Sequence, residues 1–180
     1  AHDLHQIEFS PNSNLRIIEN SAFFTKDIKM ISIPSKVTEI GAFAFYKCKK
    51  LRQVEVPIDS NLQIINKNAF AESCIKEIRI PSHVTTIGDK AFFDCFNLRR
   101  VDIDENSQII KIGEKAFSGT KIQYFSVPPQ LKALNNATFH DCRIKRIYFP
   151  VNSQLEIIGE NVFSYTDIQS ISIPPLVTSI

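Results

Sequence analysis

The chain has 180 residues, of which 43% are hydrophobic and 22% charged, with a formal net charge of +2. This composition is sufficient for a packed core and excludes an intrinsically disordered segment. The small net charge gives no support to a nucleic-acid-binding or membrane-surface protein, and no apolar run reaches the 18 residues of a transmembrane helix. Fourteen phenylalanines, no tryptophan and only five glycines indicate that one packing position has been copied many times.

Short segments of the form L-x-x-I-x-I, most of them ending at a proline, recur along the chain and predict β-strands. They alternate apolar and polar residues and are rich in β-branched types, so each has one buried face. Proline then ends the strand because it lacks a backbone donor. In chain order, the eight predicted strands lie at 4–10, 28–34, 51–57, 75–81, 98–103, 122–128, 144–150 and 168–174.

A phenylalanine, usually preceded by alanine, stands between successive strands. The separations are 22, 25, 22, 25, 22 and 24 residues, so the repeat unit has about 23 residues in alternating short and long versions. Aliphatic residues stand eight and five positions before each of these phenylalanines. The pattern predicts an internal spine formed by Phe23, Phe45, Phe70, Phe92, Phe117, Phe139 and Phe163.

Four positions before the spine phenylalanine, glycine or asparagine recurs, at Gly41, Asn66, Gly88, Gly113, Asn135 and Gly159. These two residue types enter the left-handed backbone region at the lowest cost, so a positive φ is predicted there. One unit cannot bury its own core, whereas stacked units can. The sequence therefore predicts that 1–180 is a single solenoid of about seven repeats with a parallel sheet, and a piece of a longer array without end caps.

The pattern L-x-x-I-x-I-P-x-x-V-x-x-I-G-x-x-A-F-x-x-C strongly resembles the BspA-like, or Treponema pallidum type, leucine-rich repeats. The segments LRQVEVP, PSHVTTIGDKAFFDC and LRRVDI carry this resemblance, which covers residues 4–180. It implies a right-handed, curved leucine-rich-repeat solenoid with the strands on its concave side. The insertions SPNSNL and PIDSNL look like those of protozoan, trichomonad-like members of the family.

The family includes cell-surface and secreted proteins, several of them associated with adhesion. The resemblance therefore implies a non-enzymatic recognition or adhesion module, at a cell surface or secreted, for a host cell-surface protein, an extracellular-matrix protein or an anionic glycan. A cytoplasmic scaffold and a structural spacer are the alternatives. The family pattern carries no catalytic residues, and the sequence contains no nucleophile elbow, Walker loop or dinucleotide fingerprint. Neither an enzyme nor a cofactor is predicted.

Three cysteines follow their spine phenylalanine by three positions and lie two repeats apart. About 10 Å between neighbours is too far for a disulfide, so Cys48, Cys95 and Cys142 are predicted to be small buried fillers. Cys74, shifted by one position, is the remaining candidate for a bridge. No metal site is predicted, because the histidines are scattered and the acidic segment 102–105 fits a solvated turn better than a calcium site.

The outward positions of the strands form columns along the solenoid. The first column is basic, and Tyr and Arg, the types that anchor interfaces, cluster towards the C-terminal half. The candidate partner-binding face consists of Lys29, Arg52, Lys76, Arg99, Arg100, Tyr124, Lys145, Arg146 and Tyr148. The alternative is an ordinary solvated sheet face. In the third column Arg79 stands between Glu55 and Asp102, which predicts a cross-strand ion ladder.

Overall fold

The computed structural model describes residues 6–180, and all of the strand pairing in this range is parallel. In chain order the strands are β1 (Ile17–Ile18), β2 (Met30–Ser32), β3 (Glu39–Ile40), β4 (Gln53–Glu55), β5 (Ile64–Ile65), β6 (Glu77–Ile80), β7 (Thr86–Ile87), β8 (Arg100–Ile103), β9 (Lys111–Ile112), β10 (Tyr124–Ser126), β11 (Ala133–Leu134), β12 (Arg146–Tyr148) and β13 (Ile157–Ile158). Even-numbered and odd-numbered strands form separate ladders, so each turn of the chain is one coil of a solenoid.

The even-numbered strands are the predicted ones, and we call their outward side the sheet face. They pair as β2–β4, β6–β8 and β10–β12, with Ile31 opposite Val54 and Ile78 opposite Val101. Two predicted strands do not form within the described residues. The segment 168–174 has no assigned strand, and neither has 6–10; residues 4 and 5 lie outside the described range.

The odd-numbered strands were not predicted. Their two residues include the aliphatic five positions before the spine phenylalanine, and this residue is buried in every coil, as at Ile40 and Ile87. The first five of them, β1-β3-β5-β7-β9, form one continuous ladder and β11–β13 form a second. A two-residue strand is too short to show the alternation by which sequence patterns reveal strands.

The spine phenylalanines stack on one another through the length of the solenoid. Neighbouring ring centroids are 5.0 to 6.2 Å apart, and the ring planes deviate by 19° or less. The five inner rings are fully buried, whereas Phe23 and Phe163 at the two ends are only partly covered. In the last coil Ile171, Ile173 and Leu176 are 36–47% exposed. The predicted continuation of the array remains a prediction.

The predicted positive φ was wrong at all six positions, Gly41, Asn66, Gly88, Gly113, Asn135 and Gly159. The left-handed residues instead lie two before and two after the spine phenylalanine, as at Phe43 (φ 58°) and Lys47 (φ 55°) around Phe45. In the coils that have glycine at this position the reason is different, because the preceding coil lies too close for a side chain. A Cβ atom on Gly88 would stand 2.6 Å from the backbone nitrogen of Lys67.

Around the spine the backbone amides alternate between two kinds of acceptor. The N–H groups of Phe43, Phe45 and Lys47 donate to carbonyls of the following coil at 2.7 to 3.0 Å. Those of the intervening residues 44, 46 and 48 donate to the carbonyl three residues earlier in their own coil. The same alternation recurs in the next coils, so this side of the solenoid satisfies its backbone groups without a helix or a regular strand.

Candidate interaction surface

All nine residues of the predicted partner-binding face are exposed. Four of them occupy consecutive coils, and we call Lys29, Arg52, Lys76 and Arg99 the basic column. Their backbones are joined directly, since each N–H of the last three donates to the carbonyl of the residue before it in the column, at 2.9, 3.2 and 2.8 Å. Gln123 stands in the next coil and separates Lys145 from the column.

The basic column has no carboxylate partner among the residues that the structure describes. Three nearby carboxylates are engaged elsewhere. Asp27 pairs with Lys50 at 2.6 Å, and Asp102 with Arg100 at 3.0 Å. Glu55 accepts a hydrogen bond from the Gln53 side-chain amide at 2.9 Å. The four cations therefore face solvent without a direct ion-pair partner.

A second cluster combines tyrosine and arginine. Register places Tyr124 beside Arg146 and Ser126 beside Tyr148, and the two tyrosines are 54% and 49% exposed. Two shallow depressions meet at Tyr124. One is lined by Lys145, Arg146 and the segment 166–170, and the other by Arg99, Arg100 and Tyr148. We call Arg100, Tyr124, Arg146 and Tyr148 the tyrosine–arginine cluster.

The predicted ion ladder was wrong in its partners. Arg79 does not bridge Glu55 and Asp102 but donates to the Oδ2 atom of Asp104 at 2.8 Å, beyond the end of its neighbouring strand. Asp104 stands where most coils have proline, and its Oδ1 atom accepts the backbone N–H of Asn106 at 3.0 Å. Both oxygens are thus used within the protein. Across residues 6–180, no cluster of His, Cys, Asp and Glu is arranged to hold a metal ion.

The predicted buried cysteines make a hydrogen bond that sequence reasoning missed. The thiols of Cys48, Cys95 and Cys142 each donate to the carbonyl of the spine phenylalanine in the preceding coil, at 2.8 to 3.0 Å. All four cysteines are free, including the half-buried Cys74. The recurrence of Cys at one repeat position was the available signal, but it did not reveal the acceptor.

Alkaline pH is expected to destabilise the fold through these thiols. Burial raises the pKa of Cys95 from 9.0 to about 12 and those of Cys48 and Cys142 to about 11. The unfolded chain, with ordinary thiols, loses protons first, so the contribution of these groups to the free energy of unfolding is intact below pH 9 and falls as the pH rises towards 11 or 12.

Urea unfolding of the wild type and Cys95→Ala, measured below pH 9 and again near pH 11, checks this expectation. The stability advantage of the wild type should shrink at the higher pH. All other ionisable groups are common to the two proteins, so their effects cancel in the difference. An advantage that stays constant across the window would contradict the assigned cause.

Residues 136–138 read Asn-Ala-Thr, the acceptor motif for N-glycosylation, and the threonine of this motif lies inside the fold. Thr138 is fully buried and its hydroxyl donates to the carbonyl of Asn135 at 2.6 Å.

Of the histidines, His83 is exposed, and His140 packs edge-on against Tyr165 with centroids 5.2 Å apart. His2 and His5 lie outside the described residues. Nowhere between residues 6 and 180 is there a helix long and apolar enough to cross a membrane.

Several solved structures are similar to this chain. A leucine-rich repeat protein from Bacteroides ovatus is 28% identical with a TM-score of 0.67, over 91% of this chain and 48% of that protein. The T. pallidum leucine-rich repeat protein is 28% identical with a TM-score of 0.73, over 84% and 70% of the two chains. The pneumococcal vaccine antigen PcpA, at 18% identity and a TM-score of 0.54 over 91% and 57%, shares the fold.

The chain thus spans about half the length of the Bacteroides ovatus protein. These three relatives are bacterial, and the protozoan origin suggested by the insertions stays a prediction. No curated protein matches the chain. The family model of the BspA type leucine rich repeat region matches residues 2–99 and 97–180, with six copies. The chain belongs to the BspA-type leucine-rich-repeat family.

Proposed function

We propose that this chain is a non-enzymatic recognition module that acts in adhesion, at a cell surface or after secretion, and binds a host cell-surface or extracellular-matrix protein through its sheet face. Leucine-rich repeats are in general protein-interaction modules. The observation that supports a specific site is the tyrosine–arginine cluster, whose exposed aromatic and guanidinium groups adjoin two shallow depressions. Tyr and Arg are the side chains that most often dominate binding energy at interfaces.

The strand that carries Tyr124 is packed firmly against the hydrophobic core. Beneath it, the ring of Phe125 in β10 is 2% exposed and packs against Phe117 at 5.3 Å and Phe139 at 4.8 Å. Tyr124 and Ser126 therefore project from a strand that is held by the spine itself. A preordered surface loses little conformational freedom when a partner binds, which favours affinity.

The thiol chemistry supports a non-enzymatic role. The thiolate is the reactive form of cysteine, and burial keeps Cys48, Cys95 and Cys142 protonated at neutral pH by raising each pKa to about 11 or 12. On the sheet face Arg79 and Asp104 neutralise each other, as do Arg100 and Asp102.

Binding of the chain to immobilised matrix proteins and to intact epithelial cells tests this proposal. The variant Tyr124→Ala/Arg146→Ala should lose about tenfold or more in affinity, because it removes two central anchors. The matched control is Tyr165→Ala/Arg16→Ala, which removes the same residue types from exposed positions that line neither depression. Circular dichroism should show that both variants are folded.

Each outcome has a distinct meaning. Saturable binding that the first variant loses and the control keeps supports recognition through the cluster. Equal binding by both variants contradicts the site. Absence of binding by the wild type contradicts the adhesion proposal and favours the spacer or the cytoplasmic scaffold, neither of which requires these ligands.

A further inference from the structure

We infer that the basic column, Lys29, Arg52, Lys76 and Arg99, is a binding site for a linear acidic polysaccharide that lies along the solenoid axis. The inference rests on the proposed function in one respect, since it uses the same sheet face. It concerns a different group of residues, of which only Arg99 also lines a depression beside the tyrosine–arginine cluster, and a ligand of different chemistry.

The spacing of the column is fixed by the fold. The spine rings of the same four coils, Phe23, Phe45, Phe70 and Phe92, are 5.2, 5.0 and 5.4 Å apart. On the sheet face the direct backbone hydrogen bonds set the spacing of a parallel sheet, about 4.8 Å per coil. The backbones of the four residues therefore form a row about 14 Å long that carries one charge per coil.

The row is unfavourable for the protein alone. The four residues lie directly before β2, β4, β6 and β8, and like charges on adjacent coils repel each other as like charges on adjacent strands do. None of the four has an ion-pair partner within the described chain. Other arginines of the sheet face are paired with carboxylates: Arg79 with Asp104, and Arg100 with Asp102. A bound polyanion would supply the missing counter-charge to all four cations at once.

The geometry favours a polysaccharide over a peptide or a nucleic acid. On one face of an extended peptide, side chains recur about every 6.4–6.8 Å. This distance does not match the spacing of about 4.8 Å between successive coils. Each ring of a 1,4-linked pyranose chain advances the polymer by close to one strand spacing. Although consecutive rings alternate in orientation, a sulfated sugar carries anionic groups at several ring positions, so consecutive sugars can each present one to the column. Glu55, Glu77 and Asp102 on the same face leave a narrow basic strip and disfavour the broad phosphate surface of nucleic acid.

Calorimetric titration with size-defined heparin oligosaccharides, from disaccharide to octasaccharide, tests the inference. The column variant is Lys29→Gln/Arg52→Gln/Lys76→Gln/Arg99→Gln. The matched control, Arg16→Gln/Lys26→Gln/Lys67→Gln/Lys111→Gln, removes the same charge from exposed positions outside the column. We expect the column variant to lose about tenfold or more in affinity for the tetrasaccharide and its salt dependence to weaken, because four charged contacts are lost.

Chain length provides the second readout. Affinity should rise from the disaccharide to the tetrasaccharide and then level off, because four sugars fill the row. Equal loss of binding in the control, binding independent of length, or no binding by the wild type would overturn the inference. An acidic protein that binds the column while the oligosaccharides do not would also overturn it and leave the proposed function standing. Tyr124→Ala/Arg146→Ala should retain oligosaccharide binding, which separates failure of one proposal from failure of the other.

Discussion

Replacing Phe92 with alanine is expected to lower the free energy of unfolding by about 3–5 kcal/mol. Its ring is fully buried and stacks on Phe70 at 5.4 Å and on Phe117 at 5.3 Å, nearly parallel to both. The two neighbouring rings belong to their own coils and can relax into the space only in part. The cavity therefore persists, and its cost adds to the lost burial.

Urea unfolding followed by circular dichroism measures this loss. Phe96→Ala is the control, since the ring of Phe96 is 55% exposed only four residues along the chain, and its removal should cost less than about 1 kcal/mol. Similar losses in the two variants would show that the spine is not the main source of stability. Because coils interact with nearest neighbours, a split transition in Phe92→Ala would report unfolding on one side of the cavity before the other.

Gly88→Ala is expected to destabilise the protein by about 1–3 kcal/mol, as overpacking does. The φ of Gly88 is not in the left-handed region, so by conformational entropy alone alanine would stabilise by about 0.4–1 kcal/mol. The sign of the measured change thus decides between the two effects. We expect destabilisation because the added Cβ would stand 2.6 Å from the backbone nitrogen of Lys67.

The same denaturation assay on Lys67→Ala and on the double variant Lys67→Ala/Gly88→Ala provides the control. Lys67 is exposed, so trimming its side chain should change stability by less than about 0.5 kcal/mol. The double variant should be as unstable as Gly88→Ala, because the obstruction is backbone and not side chain. A stabilised Gly88→Ala, or rescue by the second substitution, would be incompatible with this account.

The even-numbered strands and the Phe column could be predicted because each coil repeats one strong pattern. An L-x-x-I-x-I segment buries alternate residues, and the strict spacing of phenylalanine leaves one way to align the coils. The odd-numbered strands were not predicted because a strand of two residues is too short to show an alternation of apolar and polar side chains. The left-handed backbone was misplaced for a related reason. The positive φ angles occur at residues such as Phe43 and Lys47, whose residue types have no preference for the left-handed region.

The candidate face was predictable at the level of columns and not at the level of contacts. Parallel register places one residue of each coil above the next, so Arg52 and Lys76 become neighbours from their spacing alone. Ion pairing depends on where long side chains reach after the strand ends. Arg79 turns towards Asp104 in the following loop, and no repeat pattern contains that information.

The direction of the hydrogen bonds has a mechanical consequence. Bonds between coils run along the solenoid, as from Phe45 to the carbonyl of Ala69, so tension applied at the two ends pulls them apart one coil at a time and does not shear them together. Each coil that opens replaces about 5 Å of solenoid with about 80 Å of extended chain. Under a pulling force the protein would therefore lengthen stepwise and dissipate the load, while the coils that remain keep their structure.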